Sequence, residues 1–360
     1  MNGKAIIAMS GGVDSSVAAL VMRERGYDCM GVTMKLFRNE DIGLSREHSC
    51  CSLDDVEDAR SVAYSLGIPY YVFNFSDRFK ETVIARFIAA YENGATPNPC
   101  IDCNRFLKFD KLFERARQLG YDCVATGHYA RIERDAKSGR YILKKGLDAA
   151  KDQSYVLYSL TQEQLAHTAF PLGSMSKTEV RDIAARHGFI NAAKHDSQDI
   201  CFVQHGSYAD FIEEYVGKKY PKGDFTDRSG TVIGWHKGII HYTVGQHRGL
   251  GLSLPVPMYV CEIRPESNTV VLGAEKDLYS SALTASGINL ISVPKIEGKM
   301  RVKAKIRYRQ PEQWATAEQT ARDELHLVFD TPQRAVTKGQ AVVLYDGDTV
   351  VGGGTIARSE

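Results

Sequence analysis

The chain has 360 residues, more than one ordinary domain needs, so two or three domains are expected. Apolar residues account for 43% and charged residues for 25%, a composition typical of globular proteins and not of disordered chains. The formal net charge of +1 neither requires nor excludes a nucleic-acid partner. No segment approaches the run of about 20 apolar residues that a membrane helix needs, and the first residues lead straight into a strand-like run. We therefore expect a cytoplasmic protein without a cleaved export signal.

The first 200 residues alternate strand-like and helix-like patterns. Short apolar runs predict strands at 4–9, 28–36, 68–75 and 121–127. Apolar residues at helical spacing predict helices at about 13–25, 56–66, 79–91 and 105–119. Strands separated by helices of this length predict an α/β domain with a doubly wound parallel sheet, covered on both faces. Ser176 and Glu179 predict a capping box at the start of a further helix.

The pattern changes beyond about residue 205. A helix is predicted at 207–216, and short, glycine-punctuated segments follow in which apolar and polar residues alternate. These segments predict a small β-rich central domain and then a C-terminal antiparallel β-barrel. The predicted domains are 1–204, 205–279 and 280–360.

The most informative segment is AMSGGVDSS, residues 8–16. A strand ends at Met9, two glycines make a tight turn, and a helix begins with Asp14 in its first turn. Free N–H groups at a helix N-terminus bind phosphate or pyrophosphate, and glycines let the backbone approach the anion closely. The segment lacks both the Gly-Lys-Ser/Thr ending of an ATPase P-loop and the G-x-G-x-x-G pattern of dinucleotide sites. The alternative is a glycine turn that only connects a strand to a helix.

Eight cysteines occur in the chain, and at this chain length they do not predict a disulfide scaffold. Cys100 and Cys103 form a CxxC within TPNPCIDCN, residues 96–104. Cys201 lies in DSQDICF, residues 196–202, which predicts a strand-like apolar segment. The neighbours of these three cysteines suggest chemistry, whereas the other five are expected to be core thiols or surface residues.

Zinc is a weaker prediction for the cysteines. A closed tetrahedral site needs four ligands, and the chain contains a single CxxC. Adjacent cysteines fit one ion poorly, which counts against the further candidates His48, Cys50 and Cys51.

The string Ser-Gly-Gly-x-Asp-Ser after a first strand resembles the PP-loop of ATP pyrophosphatases, which cleave ATP between the α and β phosphates. The resemblance extends nearly end to end to the tRNA-specific 2-thiouridylases, which thiolate the wobble uridine of tRNAs for lysine, glutamate and glutamine. The segments that carry it, besides the loop and the two cysteine segments, are GVTMKLF (31–37), ATGHYAR (125–131), KDQSYVL (151–157), YTVGQHRGLGL (242–252), RYRQP (307–311) and Gly-Gln (339–340).

The resemblance implies a role for particular residues. It implies ATP binding by Ala8, Met9, Ser10, Gly11, Gly12, Val13, Asp14, Ser15, Met34 and Gly127. It implies contact with the target base by Asn98, Pro99 and Cys100. It implies contact with tRNA by His128, Lys151, Asp152, Gln153, Arg307, Tyr308 and Gln340. Cys103 matches the catalytic nucleophile beside the target base, and Cys201 matches the cysteine that receives a persulfide.

The implied reaction uses ATP and Mg²⁺ to convert the uridine O2 into an AMP ester. A persulfide on Cys201 then attacks C2, and Cys103 resolves the remaining sulfur by forming a disulfide with Cys201. A lowered thiol pKa is expected at both cysteines, because the thiolate is the reactive form. The target base has to leave the anticodon stack. The implied partners are tRNA and a persulfide donor, either a sulfur-relay protein or a cysteine desulfurase.

One position departs from the family pattern. Many members have an aspartate, assigned as general base, where this chain has Cys100. With Cys103 and the distant Cys201, this cysteine could bind a [4Fe–4S] cluster with one open iron, similar to the iron–sulfur tRNA thiolases. The cluster is therefore an alternative route for the sulfur. The remaining alternatives are another PP-loop enzyme, such as an amidating synthetase or a thiolase for a different tRNA position, and a non-catalytic RNA-binding protein.

Five cations alternate with apolar residues near the C-terminus: Arg301, Lys303, Lys305, Arg307 and Arg309. In a strand this spacing puts all five on one face, where they could follow RNA phosphates. An ordinary solvated sheet face is the alternative, and a structural histidine is the alternative for His128. Core packing is expected for Trp235, Trp314 and Tyr242.

Overall fold

The protein is described by a computed structural model that covers residues 3–37, 53–195, 200–203 and 206–360. It divides into two compact units that do not follow the order of the chain. The first unit comprises residues 1–83, 100–204 and 348–350, and the second comprises 84–99, 205–347 and 351–360. The weaker zinc candidates His48, Cys50 and Cys51 lie outside the described residues.

The elements are as follows. The α-helices are α1 (Val13–Glu24), α2 (Leu53–Ser65), α3 (Ser76–Phe79), α4 (Ala85–Glu92), α5 (Pro99–Cys103), α6 (Leu112–Gln118), α7 (Gln162–Ala166), α8 (Lys177–Arg186) and α9 (Tyr208–Val216). The strands are β1 (Lys4–Ala8), β2 (Asp28–Lys35), β3 (Tyr70–Asn74), β4 (Cys123–Ala125), β5 (Ala130–Arg134), β6 (Tyr141–Lys145), β7 (Thr168–Ala169), β8 (Gly223–Thr226), β9 (Val232–His236), β10 (Tyr259–Arg264), β11 (Thr269–Gly273), β12 (Tyr279–Leu290), β13 (Lys299–Lys305), β14 (Gln313–Ala321), β15 (Glu324–Arg334), β16 (Ala341–Asp346) and β17 (Thr349–Ser359). Short π-helical turns occur at Lys80–Ile84 and Asn104–Lys111, and 3-10 turns at Ser154–Leu157, Ile239–His241, Pro265–Ser267 and Glu275–Leu278.

The first unit is built on a parallel sheet in the order β3-β2-β1-β4-β7. Successive side chains of a strand point to opposite faces. Ile7 of β1 therefore packs in the cluster that contains Val17 of α1, whereas Ile6 packs in the cluster that contains Leu112 of α6. Both residues are fully buried. The predicted parallel sheet with helices on both faces is confirmed.

Most predicted elements of this unit are present with shifted ends. The capping box predicted at Ser176 is confirmed, since its side chain accepts from the Glu179 N–H and the Glu179 carboxylate accepts from the Ser176 N–H. The helices predicted at 79–91 and 105–119 are each interrupted by a π turn. A π turn inserts one extra residue into a helix and changes which residues share a face.

The second unit contains a four-stranded sheet in the order β10-β11-β8-β9 and a β-barrel. The barrel strands follow the order β12-β15-β14-β13-β16-β17, and the antiparallel pairing of β12 with β17 closes the barrel. Alternate residues of β15, including Leu325, Leu327 and Phe329, fill its interior. The predicted C-terminal antiparallel barrel is confirmed.

The basic strip predicted at 301–309 is wrong in its second half. Strand β13 ends at Lys305, and Arg307 and Arg309 lie in a following bend and turn, so the five cations do not share one strand face. The core prediction for two aromatic residues is also wrong, because Trp235 is 75% exposed and Trp314 is 50% exposed. Tyr242 is buried, as predicted.

No helix among the described residues has both the length and the apolar character that crossing a membrane requires.

Candidate active site: the nucleotide loop and the thiol segment

The nucleotide loop connects the end of β1 to the start of α1. Gly12 is the N-cap residue of α1 and has an extended backbone. The hydroxyls of Ser15 and Ser16 donate to the Gly12 carbonyl oxygen at 2.8 and 3.2 Å, and the Ser10 N–H donates to the Ser15 hydroxyl at 3.2 Å. These bonds fold the serine hydroxyls back onto the loop. The first backbone N–H groups of α1 can therefore bind an anion, with the positive end of the helix dipole adding to the attraction.

Two glycines of the site leave no space for a side chain, and Gly11 also has a positive φ. Gly11 has a φ of 76°, and a Cβ atom there would lie 2.4 Å from the carbonyl oxygen of Asp55 in α2. A Cβ atom at Gly127 would lie 2.8 Å from the carbonyl carbon of Asp14 and from the Ser15 nitrogen. The end of β4 therefore touches the backbone of the loop, and any side chain at either glycine would displace it.

The carboxylate of Asp14 is the centre of a polar network beside the loop. Lys177, the first residue of α8, donates from Nζ to both carboxylate oxygens at 2.7 and 2.8 Å. The Tyr129 hydroxyl donates to Oδ1 at 2.8 Å. The Lys177 side chain is only 11% exposed, so this ion pair is partly shielded from water. The network joins α1, α8 and the segment after β4 at the point where a phosphate would bind.

The remaining predicted ATP residues lie at the carboxyl ends of the first strands. Ala8 ends β1, and Met9 is buried directly after it. The Thr33 hydroxyl of β2 donates to the Met9 carbonyl oxygen at 2.7 Å and so ties the two strand ends together. Met34 follows Thr33 and is half-buried. In parallel sheets, ligands bind at these carboxyl ends.

The CxxC lies where α5 passes into the π turn Asn104–Lys111. Cys100 is exposed and Cys103 is half-buried. Desolvation by the surrounding protein raises the pKa of the Cys103 thiol above the ordinary value, while the positive charge of Lys108 opposes the rise. The lowered pKa expected at Cys103 is therefore wrong, because protein surrounds the sulfur and a second thiol and the Asp102 carboxylate lie nearby.

Lys108 is the cation of the thiol segment. It lies five residues after Cys103, and the π turn brings a residue at that spacing towards the same side of the helix. Its charge acts on the pKa values of Cys100, Cys103 and His128, so it lies within electrostatic range of all three. In the described part of the chain it forms no salt bridge.

His128 is a buried histidine that is 8% exposed. Its Nδ1 is 2.7 Å from the Thr126 hydroxyl, and its ring contacts Phe109 and Phe170. Desolvation and the charge of Lys108 hold its pKa well below the ordinary value, so the imidazole is neutral at pH 7. The structure thus gives His128 structural contacts, while its predicted contact with tRNA remains a prediction.

Cys201 is half-buried and lies in a turn, with the Val203 N–H donating to the Ile200 carbonyl oxygen at 2.9 Å. Residues 196–199 of the segment predicted to be strand-like lie outside the described residues. In the described remainder Cys201 and Phe202 form a turn, so the strand-like prediction is wrong there. The buried Phe202 ring next to it packs edge-on against Phe79, with centroids 5.7 Å apart. This contact anchors the Cys201 turn within the first unit.

The cysteines do not form a metal site as they stand. Within the described ranges, which include Cys100, Cys103 and Cys201, no three His, Cys, Asp or Glu side chains come together as ligands for a metal ion. The arrangement of these three thiols therefore does not fit the predicted [4Fe–4S] cluster.

Family models match the chain in three successive segments. The tRNA methyl transferase HUP domain matches residues 3–205, the tRNA methyl transferase PRC-barrel domain matches 209–274, and the aminomethyltransferase beta-barrel domain matches 280–356. The tRNA-specific 2-thiouridylase MnmA of Clostridioides difficile (strain 630) is 52% identical over 359 residues, which cover 100% of this chain and 99% of that protein. This chain belongs to the tRNA-specific 2-thiouridylase family.

Other 2-thiouridylases match over equally long stretches. The protein of Lachnoclostridium phytofermentans is 52% identical over 356 residues, 99% of each chain. That of Moorella thermoacetica is 52% identical over 351 residues, 98% of each chain. The similarity therefore extends through the parallel-sheet domain, the central domain and the barrel alike.

Several tRNA contacts predicted from the 2-thiouridylase resemblance make internal hydrogen bonds. Gln153 exchanges bonds with the Tyr129 backbone, donating from its N–H at 2.9 Å and accepting with Oε1 at 3.0 Å. Asp152 Oδ1 accepts from the N–H groups of Gly146 and Ser154, both at 3.1 Å. Lys151, just before them, is half-buried. These side chains brace the segment that carries the Tyr129 hydroxyl to Asp14.

In the second unit, the predicted contacts are similarly engaged. Gln340 Nε2 donates to the carbonyl oxygens of Thr96 and Pro97, at 2.8 and 3.4 Å, just before the predicted target-base residues Asn98 and Pro99. Arg307 donates to the Ala335 carbonyl and the Thr337 hydroxyl, both at 2.9 Å. Tyr308, in the turn after Arg307, is half-buried.

Sequence reasoning missed Lys177, Tyr129 and Asn191, all of which contact the nucleotide loop. Lys177 and Tyr129 bond to Asp14 from 163 and 115 residues away. Asn191 donates to the Gly11 carbonyl from 180 residues away. The only indication of a role for Tyr129 in the sequence is its position directly after His128, which the family resemblance marks as a site residue. Nothing local to Lys177 or Asn191 indicates a loop contact.

Proposed function

We propose that this chain replaces the O2 oxygen of the wobble uridine of tRNA with sulfur in an ATP-dependent reaction. The tRNA substrates are those for lysine, glutamate and glutamine. The observation that carries the proposal is that a pyrophosphate-type loop, the CxxC at Cys100 and Cys103, and Cys201 belong to one compact unit of a chain similar end to end to 2-thiouridylases. Residues 1–204 carry the chemistry, 205–279 form the central domain, and 280–360 bind tRNA.

In the first step the uridine O2 attacks the α-phosphorus of ATP. The bond between this phosphorus and the pyrophosphate oxygen breaks, N3 loses its proton, and the base carries AMP on O2. The leaving pyrophosphate is stabilised by the first N–H groups of α1 and by the helix dipole. Mg²⁺, when bound with ATP, would offset the phosphate charge.

In the second step sulfur replaces AMP. The terminal sulfur of a Cys201 persulfide attacks C2, the C2–O2 bond breaks, and AMP leaves with the oxygen. The Cys103 thiolate then attacks the Sγ of Cys201 and forms a disulfide, while the sulfur on C2 keeps the electron pair and N3 regains a proton. A dithiol reductant restores both cysteines, and a persulfide donor such as a sulfur-relay protein or a cysteine desulfurase reloads Cys201.

In these reaction steps, the positive charge of Lys108 offsets the rise in the pKa of the Cys103 thiol. Desolvation favours the neutral thiol at Cys103, whereas the attacking form is the thiolate. The charge of Lys108 stabilises the thiolate, so the cysteine can be neutral at rest and reactive once tRNA binds.

The proposal is tested by incubating the purified protein with ATP, Mg²⁺, a persulfide donor and unmodified tRNA, and analysing the digested nucleosides by mass spectrometry. We expect 2-thiouridine together with one AMP and one pyrophosphate for each thiolated base. Failure to form 2-thiouridine both in air and under anaerobic conditions would contradict the proposal.

Iron analysis separates the persulfide route from the cluster alternative. A colourless and active protein is expected after anaerobic purification. About four irons per chain, with activity that is lost when the iron is removed, would overturn the persulfide route but leave the thiolation itself intact.

A further inference from the structure

The side chain of Asn191 reaches the nucleotide loop from a turn after α8. Its Nδ2 donates to the Gly11 carbonyl oxygen and to the Ser16 hydroxyl, both at 2.9 Å. The Gly11 oxygen can only accept, so the nitrogen of the amide has to face it, and both amide hydrogens are used. Asn191 is 2% exposed, which shields these bonds from water.

These bonds determine which way the peptide between Gly11 and Gly12 faces. In a trans peptide the C=O and the following N–H point in opposite directions. Because Asn191 holds the Gly11 C=O, the Gly12 N–H points away from Asn191. That N–H donates to none of the residues that the structure describes. It is therefore a donor left for a ligand.

The two glycines make this peptide easy to reverse without such a bond. Glycine adopts both signs of φ at little cost, and Gly11 already has a φ of 76°. A reversed peptide would turn its carbonyl oxygen towards the ligand, where it would repel phosphate oxygens. Ser16 adds a second restraint, because its hydroxyl accepts from Asn191 while donating to the Gly12 carbonyl oxygen.

The turn that carries Asn191 is itself anchored. Arg181 of α8 donates to the carbonyl oxygens of Ala192 and Lys194, both at 3.1 Å. Lys194 Nζ donates to carboxylate oxygens of Asp55 and Asp58 in α2, both at 2.6 Å. The amide of Asn191 is thus held from two helices rather than from a free loop.

Packing alone does not explain why an asparagine side chain is found at position 191. Asn191 Oδ1 is buried and accepts no hydrogen bond from any part of the chain that the structure describes. A buried acceptor without a partner destabilises the folded state, and an apolar side chain of similar size would avoid that cost. The useful part of the side chain is therefore its pair of donors.

We propose that Asn191 is a positioning residue for the phosphates of ATP, which keeps the N–H of Gly12 turned towards them. The inference rests on the proposed use of the loop as an ATP site. If it is right, a substitution of Asn191 should weaken the binding of ATP but not the binding of adenosine, which has no phosphates.

The test compares Asn191→Leu and Asn191→Asp with the wild type. Leucine removes both donors and the unpaired oxygen, and aspartate keeps the shape but places an acceptor against the Gly11 carbonyl. Affinity for the analogue α,β-methylene-ATP with Mg²⁺ is measured by calorimetry, and affinity for adenosine by NMR titration. We expect a loss of about tenfold or more for the ATP analogue in both variants, with adenosine affinity unchanged.

Thr226→Val is the matched control, since Thr226 Oγ1 is another buried atom without a partner among the described residues, in β8. It should bind both ligands as the wild type does. Unchanged affinity of Asn191→Leu for the ATP analogue would overturn the inference, as would an equal loss for the analogue and adenosine. If the wild type binds neither ligand, the proposed function fails as well. If the wild type binds both ligands and thiolates tRNA, but Asn191→Leu shows either of these contradicting results, only the role of Asn191 is refuted.

Discussion

Two effects act on the pKa of the Cys103 thiol in opposite directions, so the reactivity of this cysteine should depend on the charge of Lys108. Desolvation raises its pKa and Lys108 lowers it. We expect Lys108→Met to slow alkylation of Cys103 by iodoacetamide at pH 7 by a factor of a few, up to about tenfold, as a pKa change of up to about one unit implies. Lys108→Arg should largely restore the rate. An unchanged alkylation rate in Lys108→Met would show that the charge does not act on the sulfur.

His128 should leave a signature in the pH dependence of stability. Its folded-state pKa lies well below the ordinary 6.5 because it is buried, so the unfolded chain binds a proton that the folded chain does not. The stability that neutral His128 provides is present above pH 6.5 and is lost as the pH falls towards the folded pKa. Between pH 6 and 5, the free energy of unfolding of the wild type should fall more steeply than that of His128→Gln, by up to about 1.4 kcal/mol per pH unit.

Chemical denaturation at a series of pH values measures this difference. Parallel curves for the two proteins would mean that His128 is protonated in the folded state, which would also remove the reason for treating it as a buried structural residue.

At the level of elements, the contact between β4 and the nucleotide loop makes a sharp prediction. Gly127→Ala would place a methyl group 2.8 Å from the backbone of Asp14 and Ser15. The loop has to shift, so we expect affinity for ATP to fall by about tenfold or more. Gly67→Ala is the control, because Gly67 has a φ of 65° with no atom near the added methyl group. It should lower stability through backbone strain but leave ATP affinity unchanged, and equal ATP affinity in both variants would contradict the close contact.

The sequence predicted local features of these elements well. Gly11 and the first turn of α1 are encoded by neighbouring residues, and so is the Ser176 capping box, because their hydrogen bonds span only a few positions. The π turn at Asn104–Lys111 was not predicted, since one inserted residue leaves the apolar spacing of a helix almost unchanged. The end of β13 was misplaced for a similar reason, because the alternating pattern continues past Lys305 into a bend.

Across the whole molecule, the fold order and the family followed from motifs, but the assembly of the site did not. Asp14 finds Lys177 and Tyr129 through the packing of α8 and of the segment after β4 against α1. The Gly11 carbonyl of the loop accepts a hydrogen bond from Asn191, which lies 180 residues later in the chain. Such partners depend on tertiary packing, which hydrophobic periodicity does not specify. For the same reason, the motif residues Gln153 and Gln340 could be named in advance, but their internal bonds to Tyr129 and Thr96 could not.

The nucleotide loop, Cys103 and Cys201 all belong to the first compact unit of the molecule. Substitutions at the two proposed sulfur-handling cysteines should abolish thiolation but leave ATP binding intact, because they remove sulfur atoms and leave the N–H groups of the nucleotide loop in place. We expect this for Cys103→Ala and for Cys201→Ala, with nucleotide affinity followed by calorimetry and 2-thiouridine by nucleoside analysis. Full thiolation by either variant would contradict the assignment of that cysteine.

The most direct measurement is a single turnover of the protein after it has been loaded with persulfide, mixed with ATP, Mg²⁺ and unmodified tRNA, and quenched with acid and an alkylating reagent. Peptide and nucleoside mass spectrometry should find one Cys103–Cys201 disulfide for each 2-thiouridine formed. Formation of 2-thiouridine while both cysteines are recovered as alkylated thiols would contradict the account, and so would a loaded protein that leaves the tRNA unmodified.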